Sequence, residues 1–330
     1  MLKRLIGRIL PGGSANVPVA DARTQALATA LEDARGLLTA GKAEAALAAA
    51  EEIVRQHAGS PAALTLAADA LLQLDRPRDA ELRAQAALRY GAPDVDAHMT
   101  LARALVKQGM HEDAVLAMRQ AEDRNPTRAD FWNEFGLLHL HLGNLDMARV
   151  RLRRATVLDP RLASPWINLA VLEQTAGAPS AAVPFLRRAI ACNPDDGLAW
   201  SNLGLALRDS ERLVDSEQAL RRAAVLRPRH AQTRVNLATV LLDQGKVREA
   251  EAALEEALAL EPASVTALVA LAGAALQRGD EDAAARRYRE ALTHAPEDPL
   301  VLSALGELEL RRRQFDTGWD LYEHRFGSTG

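Results

Sequence analysis

Residues 129–160 read ADFWNEFGLLHLHLGNLDMARVRLRRATVLDP, and this stretch decides the fold. It contains two segments with helical apolar periodicity, each about a dozen residues long. Trp132 and Phe135 belong to one apolar stripe in the first segment. Gly143 then permits a left-handed turn, and Pro160 stops the second segment because proline disfavours helix in the residue before it. The stretch therefore predicts two helices joined by a tight turn.

The same pattern recurs along the chain with a period of about 34 residues. Prolines mark the period at Pro126, Pro160, Pro194, Pro228, Pro262 and Pro296. Columns of small residues follow it, beginning at Ala34, Ala46 and Ala87. Glycines recur near the middle of most units, at Gly41, Gly109, Gly143, Gly177, Gly245 and Gly279. Because one helix pair cannot bury its apolar face alone, neighbouring pairs are expected to stack into a continuous core.

This pattern resembles the tetratricopeptide repeat (TPR), which places large, small, small and proline residues at fixed positions of each unit. In one unit the matching residues are Trp132, Phe135, Gly136, Ala148, Leu152, Ala155 and Pro160. The resemblance covers about residues 27 to 326. It implies an all-α, right-handed superhelical solenoid of about nine TPR helix-turn-helix units, with the first helices lining a concave groove. The family is a general binding scaffold, so the resemblance favours a protein or peptide partner.

The repeat register also predicts the domain organisation. Residues 1–22 are expected to form a basic amphipathic leader and a flexible linker, residues 23–326 the solenoid, and residues 327–330 a tail. Residues 299–326 form a partial or capping unit after eight full units. The predicted unit starts are Leu27, Pro61, Val95, Ala129, Ala163, Gly197, Ala231, Val265 and Pro299.

The leader, MLKRLIGRIL, places apolar residues on one helical face and basic residues opposite. A weak membrane or partner contact through Met1–Leu10 is one interpretation. The other is a short leader that packs on the first repeat or stays mobile, which we favour because about ten residues bind a membrane weakly.

Composition excludes several classes of function. Forty basic and 44 acidic residues give a net charge of −4, and aromatic residues are 4%, which argues against a nucleic-acid partner. Cys192 is the single cysteine, so intramolecular disulfides and cysteine zinc cages are excluded. The sequence contains no run of apolar residues long enough to cross a bilayer and no phosphate-loop, G-x-S-x-G or H-E-x-x-H motif. We expect a cytoplasmic, non-catalytic protein without metal or cofactor.

Three asparagines recur at the repeat period in the predicted first helices. They are Asn168, Asn202 and Asn236. An asparagine side chain donates and accepts, so a row of them could clamp the backbone of an extended peptide. The strings W-I-N-L-A and W-S-N-L-G also resemble repeats of O-linked N-acetylglucosamine transferase, in which an asparagine ladder holds substrate peptide. The alternative is three solvated polar residues. The row is short, because equivalent places hold Thr100, Glu134 and Ala270.

Other polar residues are predicted to line the same groove. They are Arg103, Asp130, Asn133, His141, Gln174, Arg208, Asp209 and Asp243. Their mixed charges favour a polar peptide over a purely hydrophobic one, and the alternative is ordinary surface charge.

The aromatic and thiol side chains have mainly structural interpretations. Trp132, Trp166 and Trp200 occupy a core-packing column, so we predict packing rather than ligand stacking. His139 and His141 are two residues apart on a helix and should point to different faces, which is poor metal geometry. Cys192 is predicted to be inert.

The final helix carries an unusual string. Gly318, Trp319, Tyr322, Glu323 and Arg325 resemble a G-W-x-x-Y-E-x-R motif found in the last repeat of bacterial proteins that join TPRs to a glycosyltransferase domain. The resemblance implies an acceptor-recognition segment. A capping helix, with Trp319 and Tyr322 closing the core end, is the structural alternative.

The main functional hypothesis is a scaffold that binds an extended peptide or flexible protein segment through the asparagine ladder. One alternative is the acceptor-recognition portion of a bacterial protein glycosyltransferase whose catalytic domain is absent from this chain. Another is a membrane-associated assembly scaffold. Because solenoids can self-associate through exposed end faces, assembly into a homo-oligomer is a further alternative.

Overall fold

A computed structural model describes residues 19–91, 95–124 and 126–323, and for residues 19–23 it describes the backbone only. These ranges contain eighteen α-helices and no β-strand. The predicted leader Met1–Leu10, the linker up to Pro18, Arg325 and the tail at 327–330 lie outside the described residues.

The helices form two compact units. The first ends at Asn144 and contains α1 (Val19–Thr39), α2 (Ala43–Gln56), α3 (Pro61–Gln73), α4 (Pro77–Tyr90), α5 (Val95–Lys107), α6 (His111–Glu122) and α7 (Ala129–His141). The second begins at Leu145 and contains α8 (Leu145–Leu158), α9 (Ala163–Thr175), α10 (Pro179–Cys192), α11 (Gly197–Arg208), α12 (Leu213–Leu226), α13 (Ala231–Asp243), α14 (Val247–Leu260), α15 (Val265–Gln277), α16 (Glu281–His294), α17 (Pro299–Arg311) and α18 (Phe315–Tyr322). Within each unit every helix packs against the next one in the chain.

The odd-numbered helices begin at the predicted unit starts from Pro61 to Pro299. The first helix differs, since α1 begins at Val19 rather than near Leu27 and so enters the range assigned to the linker. The predicted all-α fold class, with helices in successive pairs, is confirmed by this order of helices.

The turns between paired helices share one backbone conformation. Six glycines have φ between +72° and +77°, as predicted: Gly41, Gly109, Gly143, Gly177, Gly245 and Gly279. Three units lack glycine at this place, and Asp75, Glu211 and Arg313 adopt the same left-handed region at φ 55°, 60° and 62°. The stacked helices therefore impose the turn even where the residue disfavours it.

Columns of equivalent residues form the core. Leu152, Leu186, Leu220 and Leu254, each one repeat period after the last, are fully buried. The alanines three residues later on the same helices are buried too: Ala155, Ala189, Ala223 and Ala257. Ser216 stands in an otherwise small apolar column, and its hydroxyl donates to the carbonyl oxygen of Gly204 at 2.6 Å, which satisfies the buried polar group.

Candidate functional site

The eleven predicted binding residues are divided between the two units. The first unit holds Arg103, Asp130, Asn133 and His141. The second holds Asn168, Gln174, Asn202, Arg208, Asp209, Asn236 and Asp243. Ten of them lie on first helices, and Asp209 is the C-cap of α11. Each unit therefore presents its own polar first-helix face.

Arg103 is the centre of a charged network in the first unit. Its guanidinium donates to Glu134 on α7 at 2.5 and 2.9 Å and to Asp69 on α3 at 3.4 Å. The buried hydroxyl of Thr100 donates to Asp69 at 2.8 Å. Burial raises the pKa of Asp69 above its ordinary value, although the hydrogen bond from Thr100 and the charge of Arg103 oppose that rise. Arg103 thus connects three successive first helices.

A second arginine neutralises a predicted contact residue. Arg128, just before α7, donates to Asp130 at 2.6 Å and also pairs with Asp96 on α5. This guanidinium lowers the pKa of the Asp130 carboxyl. Sequence reasoning missed Asp69, Asp96 and Arg128. The repeat period could have identified the pair of Asp69 and Arg103, because these two residues occupy the same repeat position and carry opposite charges.

An apolar pocket of about 320 Å³ lies beside the Arg103 network. Its wall is formed by Ala102, Val106, Met118, Leu137 and Leu138, with Arg103, Glu134 and His141 as the polar lining. The structure therefore brings Arg103 and His141 to one pocket, whereas Asp130 and Asn133 do not line it. This volume is at the lower end of the range for small-ligand sites.

The three asparagines occupy the same position of α9, α11 and α13, and all are partly buried. The amide of Gln232 donates to the side-chain oxygen of Asn236 at 2.9 Å. Among the described residues, the Asn202 side chain has no hydrogen-bond partner. Helices α11 and α13 pack directly against each other.

An ion pair crosses the same two helices. Arg208 at the end of α11 donates to Asp243 at the end of α13 at 2.6 Å. These two predicted contact residues therefore neutralise each other, while Asp209 is exposed and Gln174 partly buried.

The repeat tryptophans pack as predicted. Trp132 is buried, edge-on to Phe131 at 5.2 Å, and Trp166 stacks on Phe185 at 6.2 Å. Trp200 packs against the core cluster that contains Leu203. The indole nitrogens are also hydrogen-bonded, so these rings are structural.

The positions of His139 and His141 agree with their structural interpretation. His139 is buried and His141 exposed, so they do point to different faces. The thiol of Cys192 contacts the carbonyl oxygen of Pro160 at 3.3 Å. Within 19–91, 95–124 and 126–323, no group of three or more His, Cys, Asp or Glu side chains could hold a metal ion. Among the helices of the same ranges, none has the length and apolar character needed to cross a membrane.

The last helix is tightly packed yet leaves aromatic surface exposed. A Cβ at Gly318 would lie 2.8 Å from Leu310, so α18 approaches α17 closely. Trp319 is 54% exposed and edge-on to Tyr322 at 6.0 Å. The indole therefore does not close the end of the core as the capping interpretation expected.

Known proteins share this fold. Among solved structures, one match is a chain of the APC/C hetero-tetramer Cut9–Hcn1, with a TM-score of 0.61 and 19% identity over 73% of this chain and 48% of that one. This chain thus spans about half the length of that protein. Pseudomonas aeruginosa pilF matches with a TM-score of 0.52 and 24% identity, covering 61% of this chain and 93% of that one. A thermophilic TPR protein of Thermus thermophilus matches with a TM-score of 0.50 and 23% identity, over 55% and 98% of the two chains. At these identities the likeness concerns the fold.

Family models identify the repeat directly. No curated protein matches the chain. The model of the C-terminal domain of cilia and flagella-associated protein 70, a TPR domain, matches residues 19–264, and a tetratricopeptide-repeat model matches residues 235–299. Because the first match covers well over half of the sequence and agrees with the helix order, this chain belongs to the tetratricopeptide-repeat family.

Proposed function

We propose that the protein is an interaction scaffold whose second unit binds an extended peptide on its first-helix face. The observation that carries this proposal is the repetition of Asn168, Asn202 and Asn236 at one position of three successive first helices. A partly exposed amide in the middle of a helix contributes little to helix stability, so its repetition favours a role in binding.

The chemistry of the amide suits a peptide backbone. Each side chain can donate to a C=O and accept from an N–H of the same extended chain. Asn202 has both groups available among the described residues, and the bond from Gln232 to Asn236 leaves the Asn236 amide nitrogen unused. Clamping through the backbone would make few demands on the side chains of the bound peptide.

The flanking charges favour a polar peptide with low net charge. Arg208 and Asp243 form an ion pair with each other, so together they add no net charge. Asp209 and Gln174 supply further polar contacts. In the first unit, Arg103, Asp130, Asn133 and His141 form a comparable but separate polar set, and the 320 Å³ pocket has room for one apolar side chain.

A selection from a random library of polar, unstructured 15-residue peptides tests the proposal. Peptides retained by the wild type are measured by fluorescence anisotropy against the Asn168→Ala/Asn202→Ala/Asn236→Ala variant. Loss of several hydrogen bonds of about 0.5–1.5 kcal/mol each should weaken binding at least tenfold. Methylating the peptide's backbone nitrogens should weaken it similarly.

A matched control removes two exposed amides from second helices, Gln120→Ala and Gln218→Ala, and should bind like the wild type. Circular dichroism checks that each variant remains folded. If no peptide is retained, peptide binding is contradicted. Equal affinity in the wild type and the triple variant contradicts the asparagine role.

A second candidate function is acceptor recognition for a glycosyltransferase. The exposed Phe315 and Trp319 on α18 favour it, because they offer aromatic surface where a further domain would join. The gene after the Gly330 codon provides the test: an in-frame nucleotide-sugar domain supports this function and a stop codon contradicts it. The membrane-scaffold alternative depends on Met1–Leu10, and liposome flotation with and without those residues tests it.

A further inference from the structure

Pairs of adjacent arginines recur on three successive second helices of the second unit. They are Arg153 and Arg154 on α8, Arg187 and Arg188 on α10, and Arg221 and Arg222 on α12. All six are exposed, and successive pairs stand one repeat period apart. Because equivalent positions of stacked repeats face the same way, these side chains form one basic surface, called here the arginine ridge.

The ridge ends where the charge changes sign. On the next second helix, α14, the equivalent positions hold Glu255 and Glu256. The whole chain is slightly acidic at −4, so the ridge is a local reversal of the average charge. An acidic partner would therefore be attracted to this surface in particular rather than to the protein as a whole.

The two ends of the ridge differ in how their charges are balanced. Arg221 pairs with Glu217 at 2.8 Å and with Glu249 at 2.7 Å, and Arg222 pairs with Asp195 at 3.3 Å.

The other side of the ridge is less compensated. Among the described residues, Arg153, Arg187 and Arg188 form no ion pair. Positive charge is therefore least compensated on α8 and α10.

A recess of about 460 Å³ lies at this uncompensated part of the ridge. It is lined by Ser180, Val183, Pro184, Arg187, Arg188, Ser210 and Arg212. Arg212 is held by Asp215, with its Nε 3.0 Å from the carboxylate, so Arg187 and Arg188 supply the excess charge. The exposed Asp209 and Glu211 flank Ser210 in sequence but do not line the recess. The Ser210 hydroxyl already donates to the carbonyl oxygen of Ala206 at 2.7 Å, so the two guanidinium groups and the Ser180 hydroxyl supply the donors that a carboxylate needs.

A larger recess in the same unit has a different balance of charged residues in its lining. It measures about 550 Å³ and lies among α14, α15 and α16. Two of its three arginines are already paired, Arg278 with Glu251 at 3.2 Å and Arg287 with Glu255 at 2.7 Å. An anionic ligand there would meet the lining carboxylates Glu251, Glu255 and Glu290, whereas the lining of the α10 recess contains no carboxylate.

We propose that the arginine ridge, centred on the α10 recess, docks an acidic and unstructured protein segment. This surface lies on the second helices and is separate from the asparagine positions on the first helices. Exposed Val157 and Val225, one turn after Arg153 and Arg221, offer small apolar contacts between the cations.

The details of the ridge favour a peptide over other polyanions. Asp195, Glu217 and Glu249 are interleaved with the arginines and would repel the continuous phosphates of a nucleic acid, whereas a peptide can place acidic residues only where they are needed. Membrane-surface helices use large apolar residues such as Trp, Phe and Leu. Among these arginines the most exposed apolar residues are Val157 and Val225, whereas Leu158 is 38% exposed.

Fluorescence anisotropy with a labelled 16-residue peptide of alternating Glu and Ser tests this proposal. The Arg153→Glu/Arg187→Glu/Arg188→Glu variant changes three arginines without breaking an ion pair. It should bind at least tenfold more weakly than the wild type. Raising the salt from about 50 to about 200 mM should weaken wild-type binding several-fold, since exposed charges are screened.

The matched control, Arg78→Glu/Arg89→Glu/Arg124→Glu, makes the same change in net charge with exposed arginines of the first unit and should bind within twofold of the wild type. An equal loss in both variants, or no binding by the wild type, overturns the proposal. Tighter binding to phosphatidylserine vesicles or to a single-stranded oligonucleotide than to the peptide overturns the assignment to a protein segment.

Discussion

The indole nitrogen of Trp200 donates a hydrogen bond to the carbonyl oxygen of Pro194, six residues earlier, at 2.9 Å. The same bond joins Trp166 to Pro160 at 3.1 Å and Trp132 to Pro126 at 2.7 Å. The two most recognisable residues of the repeat are thus bonded to each other. The tryptophan of a first helix holds the loop through which the chain enters that helix, so the motif is a local clamp as well as a packing pattern.

Replacing Trp200 with Phe should lower the free energy of unfolding by about 1 kcal/mol, since a net hydrogen bond contributes about 0.5–1.5 kcal/mol. Phenylalanine keeps an aromatic ring in the partly buried site but cannot donate to Pro194. Urea unfolding followed by circular dichroism gives the value. A variant as stable as the wild type would mean that water replaces the bond without loss.

The left-handed turns predict two opposite effects of glycine. Glu211→Gly should stabilise the protein by about 0.5–1 kcal/mol, because relief of a φ of 60° outweighs the extra freedom of glycine in the unfolded chain. Gly245→Ala, at φ 73°, should destabilise it by about 1–2 kcal/mol.

Thermal unfolding of these two variants beside Glu211→Ala separates the backbone effect from loss of the charge. Glu211→Ala keeps a Cβ in the strained conformation and should be close to the wild type. Stabilisation by alanine as large as that by glycine would show that the carboxylate, and not the backbone, carries the strain.

The sequence predicted the register of this fold because glycine, proline and small residues act through backbone geometry, which repeats strictly. The helix start at Pro61 and the turn at Gly143 follow from that geometry alone. Glu211 was not recognisable as a left-handed residue, because its conformation is imposed by the helices on either side.

The polar faces were less predictable, since the repeat fixes where a side chain starts but not which partner it selects. Arg103 was placed on the correct helix, yet its bonds to Glu134 and Asp69 depend on rotamers and on neighbours in the two adjacent repeats. Arg208 and Asp243 are both predicted to contact a peptide, and the pairing between them was not apparent from the sequence.

Asp69 predicts an unusual dependence of stability on pH. Its pKa is raised in the folded state, so its contribution to stability is complete below the ordinary value of 3.8 and is lost as the pH rises through the folded-state pKa. Asp69→Asn can still accept from Thr100 but carries no charge. The variant should equal the wild type near pH 3.5 and exceed it in free energy of unfolding at pH 7.

Glu217 provides a control, because its pKa is shifted in the opposite direction to that of Asp69. Lys246, at 2.7 Å, is the main cause of its lowered pKa, so its stabilising contribution is present at neutral pH and is lost as the pH falls through the folded-state value. Glu217→Gln should therefore be less stable than the wild type at pH 7 and similar to it in acid. If the free energy of unfolding depends on pH in the same way for Asp69→Asn and Glu217→Gln, burial is not the dominant influence on the pKa of Asp69.

Two helical glycines predict opposite responses to the same substitution. A Cβ at Gly204 would lie 2.4 Å from the Cγ of Leu220, which is fully buried and cannot move aside, so Gly204→Ala should destabilise the protein by about 1–3 kcal/mol. Gly273 on α15 has nothing within 4 Å of the same position, so Gly273→Ala should gain about 0.5–1 kcal/mol from helix propensity alone. Urea midpoints of the two variants measure the difference. If Gly204→Ala is also stabilising, α11 and α12 have room to separate, and the close approach of paired helices is not what selects glycine in this column.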